Sequence, residues 1–155
     1  MNENLITFHN ESFRESLPEF EYLLPQHYEE LALNKDKVPL KPRWDVYFNR
    51  EDAGELIFIA ARCQGLIIGY FIGFISPGLH YKTCLTCQMD IFYIQEEFRN
   101  GRIGIKLFQF VEKQLKKRGV MRWFVGSKNH KSAESLFKYL KFKPVEVYYS
   151  KWIGD

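Results

Sequence analysis

The chain has 155 residues, 46% of them hydrophobic and 17% aromatic, and carries a formal net charge of +3. That composition supports a single domain over residues 1–155 with one real core, and excludes a mostly disordered chain. The mild positive excess suits an anionic cofactor but is too small to argue for nucleic-acid binding, and no apolar run approaches the length of a membrane span.

Residues 1–4 lack the basic start and apolar stretch of a signal peptide, so a cytoplasmic protein is expected. Cys63, Cys84 and Cys87 are odd in number, and Cys84-Leu85-Thr86-Cys87 has no second ligand pair for zinc. Reduced thiols and no metal are expected.

Residues 5–8 read as a short strand. Residues 11–34 have a helical pattern broken by Pro18 and Pro25, which predicts two helical pieces, the second over 26–33. Residues 35–43, with Pro39 and Pro42, read as an irregular connection, and 44–50 as one or two helical turns. Residues 55–63 and 66–75, separated by Gln64-Gly65, predict an antiparallel hairpin. After the loop Leu79-His80-Tyr81-Lys82, residues 83–94 form a further strand. In it Met89, Ile91 and Tyr93 alternate with Asp90, Phe92 and Ile94. Apolar groups on both faces make this strand central.

Ile103, Leu107, Val111 and Leu115 form one stripe of a helix over 103–118, which ends in a basic cluster and Gly119. A strand over 122–127, a short helix capped by Ser132 and a last strand over 145–153 complete the chain. The order predicts an α/β (α+β) fold. Its central sheet is mixed and mostly antiparallel, with about six or seven strands and helices on both faces.

The most informative segment is Phe98-Arg99-Asn100-Gly101-Arg102-Ile103-Gly104, which links the central strand to the long helix. Unpaired N–H groups and the dipole at a helix start attract phosphate, and glycine lets the ligand approach the backbone. Asp90, within an apolar strand, is a candidate base whose pKa burial would raise; Glu96 and Glu97 beside the turn are others.

Arg99 to Gly104 resembles the Gln/Arg-x-x-Gly-x-Gly/Ala motif of the GCN5-related N-acetyltransferase (GNAT) superfamily, with Arg102 in place of the middle glycine. Residues 129–142 resemble the family pattern Asn-x-x-Ala-x-x-Leu-Tyr-x-x-x-Gly-Phe, with Phe137 at the tyrosine. The loop at 79–82 and the Arg-Asn-Gly-Arg-Ile-Gly wording also look like phage and prophage members.

The resemblance implies acetyl-CoA as cofactor. Backbone N–H groups of Arg99, Asn100, Gly101, Arg102, Ile103 and Gly104 would hold the pyrophosphate. Main-chain groups of Phe92, Tyr93 and Ile94 would pair with the pantetheine arm, and Asn129 would bond it from the other side. It implies N-acetyl transfer to a primary amine by direct attack, for which Asp90, Glu96 or Glu97 would be the base, directly or through water. Phe137 cannot donate a proton, so Tyr139 stands as the helix's acid candidate although it is two residues on, at another angle. His80, Tyr81 and Tyr28 would line the acceptor side. The alternative is a CoA-binding module of the same fold without transfer activity. The aromatic tail at 148–152 would suit a homodimer contact.

Overall fold

A computed structural model describes residues 5–99 and 101–155. Strands β1 (Ile6–Glu11), β2 (Leu56–Cys63), β3 (Leu66–Gly78), β4 (Tyr81–Ile94) and β5 (Arg122–Phe124) form one sheet in the order β1-β2-β3-β4-β5. The first four pair antiparallel, and β5 pairs parallel to β4. The sheet is therefore mixed and mostly antiparallel, with β4 inside it.

Among the described residues the sheet has five strands, not six or seven. Residues 145–153 are not a strand, and Val145, Val147, Tyr148, Tyr149 and Ile153 stand exposed. Alternating apolar residues make a segment compatible with a strand, but only an available edge makes it one. Here the β5 ladder is three residues long. Trp152 instead lies beside the Lys37 ammonium, 5.1 Å from its ring centroid.

The N-terminal helical region divides in two as expected, but Pro18 lies inside the first helix and does not break it. α1 (Phe13–Phe20) carries Pro18, a 3-10 turn spans Glu21–Leu23, and α2 (Leu24–Leu31) has Pro25 in its first turn. Proline there forfeits only an N–H that has no helical acceptor. α3 (Trp44–Asp52) follows the irregular connection. These helices cover one face of the sheet. Phe13, Phe20 and Leu23 pack on Phe58, Ala60, Tyr70 and Ile72.

α4 (Ile103–Lys117) and α5 (Glu134–Tyr139) lie on the other face. The stripe Ile103, Leu107, Val111 and Leu115 is buried there against Ile57, Ile59, Phe71 and Ile94. β2 thus sends 56, 58 and 60 to one face and 57 and 59 to the other, the period of two expected of a strand covered on both sides. Burial of Leu56, Ile57, Phe58 and Ile59 stabilises the fold by about 1.5–3 kcal/mol for each side chain.

Leu107 is fully buried in the α4 core. Leu107→Ala is expected to lower unfolding free energy by about 2–5 kcal/mol in urea titration. A loss under about 0.5 kcal/mol, the range of surface substitutions, would contradict this packing.

Candidate functional site

β4 and β5 share a register over only three pairs, from Thr86↔Arg122 to Gln88↔Phe124. Beyond Gln88 the strands part, while β4 stays paired to β3 as far as Ile94. The gap opens into a cleft of about 970 Å³ that also runs between α2, α3 and the start of α4.

Antiparallel alternation decides which main-chain groups face the gap. Gln95 N–H donates to Ile68 O at 2.9 Å, so Tyr93 and Ile91 point their N–H and C=O at β3. Phe92 and Ile94 point theirs at the gap. Tyr93 therefore offers the gap no main-chain group, unlike the expectation for all three residues. Ile94 O is already taken by Arg99 Nε at 2.8 Å. Phe92 N–H, Phe92 C=O and Ile94 N–H are left facing the cleft.

The start of α4 lies across that gap. Gly101 has φ 98°, in the left-handed region that favours glycine. Arg102 is the N-cap, and the first helical bond runs from Lys106 N–H to Arg102 O at 2.9 Å. The N–H groups of Ile103, Gly104 and Ile105 thus have no acceptor within the helix. A Cβ on Gly104 would meet Leu136 at 3.7 Å and Ile94 at 3.9 Å, ordinary contacts. Packing does not demand glycine at 104, and its bare backbone leaves room on the cleft side. This arrangement fits the diphosphate and amide arm of acetyl-CoA.

Arg99 does not take its expected place in this set, because its N–H donates to Glu96 O at 3.1 Å. Asn100 lies outside the described residues. Arg102 does not line the cleft. Its Nη2 donates to Tyr139 Oη at 2.8 Å, carrying the guanidinium over α5. Tyr139 lines the cleft, with its hydroxyl held at the α4 end. Asn129 is exposed and outside the lining, where Ser127, Lys128 and Lys131 stand instead.

The other end of the cleft is built around Asp90. The pairs Ile72↔Ile91 and Gly73↔Met89 skip it, so Asp90 is the extra residue of a β-bulge. The bulge interrupts the alternation assumed from the sequence. Met89 packs on the α4 side with Phe92, whereas Ile91 joins the α1–α3 core with Tyr93. Asp90 turns toward α3, where Tyr47 Oη donates to Oδ2 at 2.5 Å. Burial raises the Asp90 pKa above the usual carboxylate range, and the Tyr47 bond opposes that only in part. Burial and the neighbouring carboxylate push the Tyr47 phenol up.

Beside them His27 Nδ1 lies 2.7 Å from Tyr70 Oη, and the ring stacks on Tyr93 at 4.9 Å. Burial brings the His27 pKa down to about 4, so the ring is neutral near pH 7. Glu30 accepts two bonds from Arg99, both at 2.6 Å, and Lys131 Nζ sits 3.3 Å from it. Arg99 foremost holds the Glu30 carboxyl below its ordinary range.

Tyr28 lines the cleft, and its hydroxyl donates to Val38 O at 2.5 Å, tying the 33–42 segment to α2. Glu97 lies exposed in a 3-10 turn (Glu96–Phe98), outside the lining. His80 and Tyr81 sit at the far tip of the β3–β4 hairpin, also outside it. Met89 is eight residues along β4 from Tyr81, about 27 Å at strand rise. Phe137 is buried against Phe92, Phe108 and Phe142.

From sequence, Tyr47 draws no notice, His27 is assigned no function, and Glu30 fits an amine substrate and a solvated helix face equally well. Helical spacing held part of the signal, since Leu24, His27 and Leu31 share a face of α2 and Trp44 and Tyr47 share one of α3.

The family model of the GNAT acetyltransferases matches residues 10–142. No match to a curated protein sequence was found. Among solved structures, a ribosomal-protein-alanine N-acetyltransferase from Brucella melitensis biovar Abortus 2308 superposes with a TM-score of 0.76 at 16% identity, covering 97% of this chain and 99% of that one. Glucosamine-6-phosphate N-acetyltransferase from Arabidopsis thaliana gives 0.71 at 12% identity, covering 96% and 99%. A predicted acetyltransferase from Clostridium acetobutylicum, solved with acetyl-CoA, gives 0.67 at 13% identity, covering 96% of each. At such identities the likeness is one of fold, while the family match spans most of the chain: the protein belongs to the GNAT acetyltransferase family.

Proposed function

We propose that the chain transfers an acetyl group from acetyl-CoA to a primary amine by direct attack within a ternary complex. The observation that carries this reading is a convergence in one cleft. The unpaired edge of β4, the open start of α4 and the bulged Asp90 all meet there. Phage-type wording at residues 99–104 belongs to the same reading and adds nothing about the acceptor.

Acetyl-CoA, when bound, supplies an acetyl thioester at the end of an amide arm and a diphosphate at its other end. The N–H groups of Ile103, Gly104 and Ile105 hold anionic oxygens with help from the helix dipole. Lys128 and Lys131 add charge on the facing side. Ile94 N–H, toward α4, and Phe92 C=O face an amide arm as a neighbouring strand would. Phe92 N–H, two residues from Asp90, is a donor for a carbonyl oxygen gaining charge.

Asp90 takes the proton that a bound ammonium must lose before its nitrogen can attack. Its raised pKa makes it a stronger base than an exposed carboxylate, and Tyr47 fixes its orientation. Phe137 has no proton to give, whereas Arg102 donates to the Tyr139 oxygen and leaves that hydroxyl's own proton for the cleft, so the departing thiolate takes its proton from Tyr139 or from water. A second reading, a CoA-binding module without transfer, is favoured by that buried phenylalanine alone.

Calorimetry should give micromolar acetyl-CoA binding, weakened about tenfold or more by Gly104→Val, whose side chain enters the cleft wall beside Leu136 and Ile94. Asp90→Asn should lower kcat/KM by about 100-fold with acetyl-CoA affinity unchanged. Binding without turnover on any amine would select the second reading.

The Asp90 titration has its own signature. Its folded carboxyl is raised, so its contribution to stability is full below the unfolded carboxylate range and is lost as pH rises through the folded value. Asp90→Asn should therefore raise Tm at neutral pH, with the gain shrinking toward about pH 4. In carboxyl NMR titrations Tyr47→Phe should move Asp90 further up, because the lowering bond is gone. A downward move would contradict this placement.

A further inference from the structure

Within the transferase reading, on which this step rests, we infer that the acceptor is a small primary monoamine on an apolar or aromatic body. The charge inventory of the cleft is the first ground. Its cationic side chains are Lys41, Arg99, Lys128 and Lys131, and its carboxylates are Glu30 and Asp90. Glu30 is occupied, accepting both guanidinium nitrogens of Arg99 with Lys131 close by. Among the described residues lining the cleft, Asp90 is the carboxylate left to meet a substrate cation, and it is half-buried with one oxygen already accepting from Tyr47.

One carboxylate answers one ammonium. A second or third ammonium on a polyamine or an amino sugar would have to leave water for an apolar wall or approach a lysine. Either loses hydration without gaining a partner.

The walls are the second ground. The cleft wall includes Leu24, Leu31, Leu40, Trp44, Tyr47 and Met89; Tyr47 bonds Asp90, Trp44 packs on Tyr47 and Met89 precedes Asp90 in β4. Leu40 lines the cleft and is 41% exposed, on a segment where Leu33 and Val38 are also exposed. An apolar substituent entering behind its amine covers Leu40 and lies against the Trp44 and Tyr47 rings. Those rings also attract the ammonium as it arrives. The amine then reaches Asp90 on β4, two and four residues before the gap-facing groups of Phe92 and Ile94.

The test is thiol release from acetyl-CoA with phenethylamine, tryptamine, spermidine, kanamycin and a lysine-containing peptide, beside calorimetric acetyl-CoA binding. The expected result is a kcat/KM for phenethylamine or tryptamine about tenfold or more above that for spermidine or kanamycin. Leu40→Asp, at an exposed position that the core does not need, should narrow the phenethylamine-to-spermidine ratio by about tenfold while leaving acetyl-CoA affinity unchanged. A preference for spermidine, kanamycin or the peptide, or a ratio indifferent to Leu40→Asp, overturns the inference and leaves the transferase reading standing. Failure of the folded protein to bind acetyl-CoA, or to acetylate any amine, overturns the transferase reading and this inference with it.

Discussion

The site depends on β4 losing one neighbour while keeping the other. From Thr86 to Gln88 the strand is paired on both edges; beyond Gln88, only β3 remains. A strand covered by helices on both faces needs a partner for each main-chain group, since leaving one buried and unpaired costs about as much as a lost hydrogen bond. The protein answers this at Ile94 O with Arg99 Nε and leaves neighbouring groups facing a cleft that a ligand can enter. The opening is thus a deliberate break in the ladder, bounded by α4 on one side and α2 on the other.

Arg99 shows how much of the motif is scaffolding. Its N–H closes the 3-10 turn, its Nε caps the strand, and its terminal nitrogens grip Glu30 on α2. The two-pronged geometry adds direction to a charge-assisted contact, which lysine would not reproduce. One side chain therefore ties the end of β4 to α2 and leads into the helix start, so the two walls of the cleft hold a fixed separation. The guanidinium also lies over Tyr93, which in turn stacks on His27.

Legibility followed the range of the interactions. Strands β2 and β3 and helix α4 came within a few residues of their read boundaries because each is set by a local period and a local stop, such as Gln64-Gly65 or Gly119. The hairpin tip was read as a loop, yet Tyr81 and Lys82 already belong to β4. Asp90 was singled out as the buried carboxylate, but the face it occupies was hidden, because counting alternate residues assumes a constant period and a bulge breaks it. The Glu30–Arg99 pair spans 69 residues, and nothing in either local pattern announces it. Residues 145–153 failed in the opposite direction. Their local pattern suits a strand, and the missing ingredient is an edge to receive it.

The two ends of the cleft pose opposite electrostatic problems. Toward α4, Lys128 and Lys131 on the facing segment and the unpaired N–H groups create a site for anions, and Arg102 adds its charge from beyond Tyr139. Toward α3, one carboxylate stands among aromatic and aliphatic groups, where burial works against its ionised form. A cation arriving at Asp90 offsets part of that penalty by attraction, but both charges have then left water. Once the proton has moved from ammonium to carboxylate, both partners are neutral and burial no longer opposes them. The apolar surroundings of Asp90 thus penalise the charged pair more than the neutral one, driving the same proton transfer that makes an amine nucleophilic.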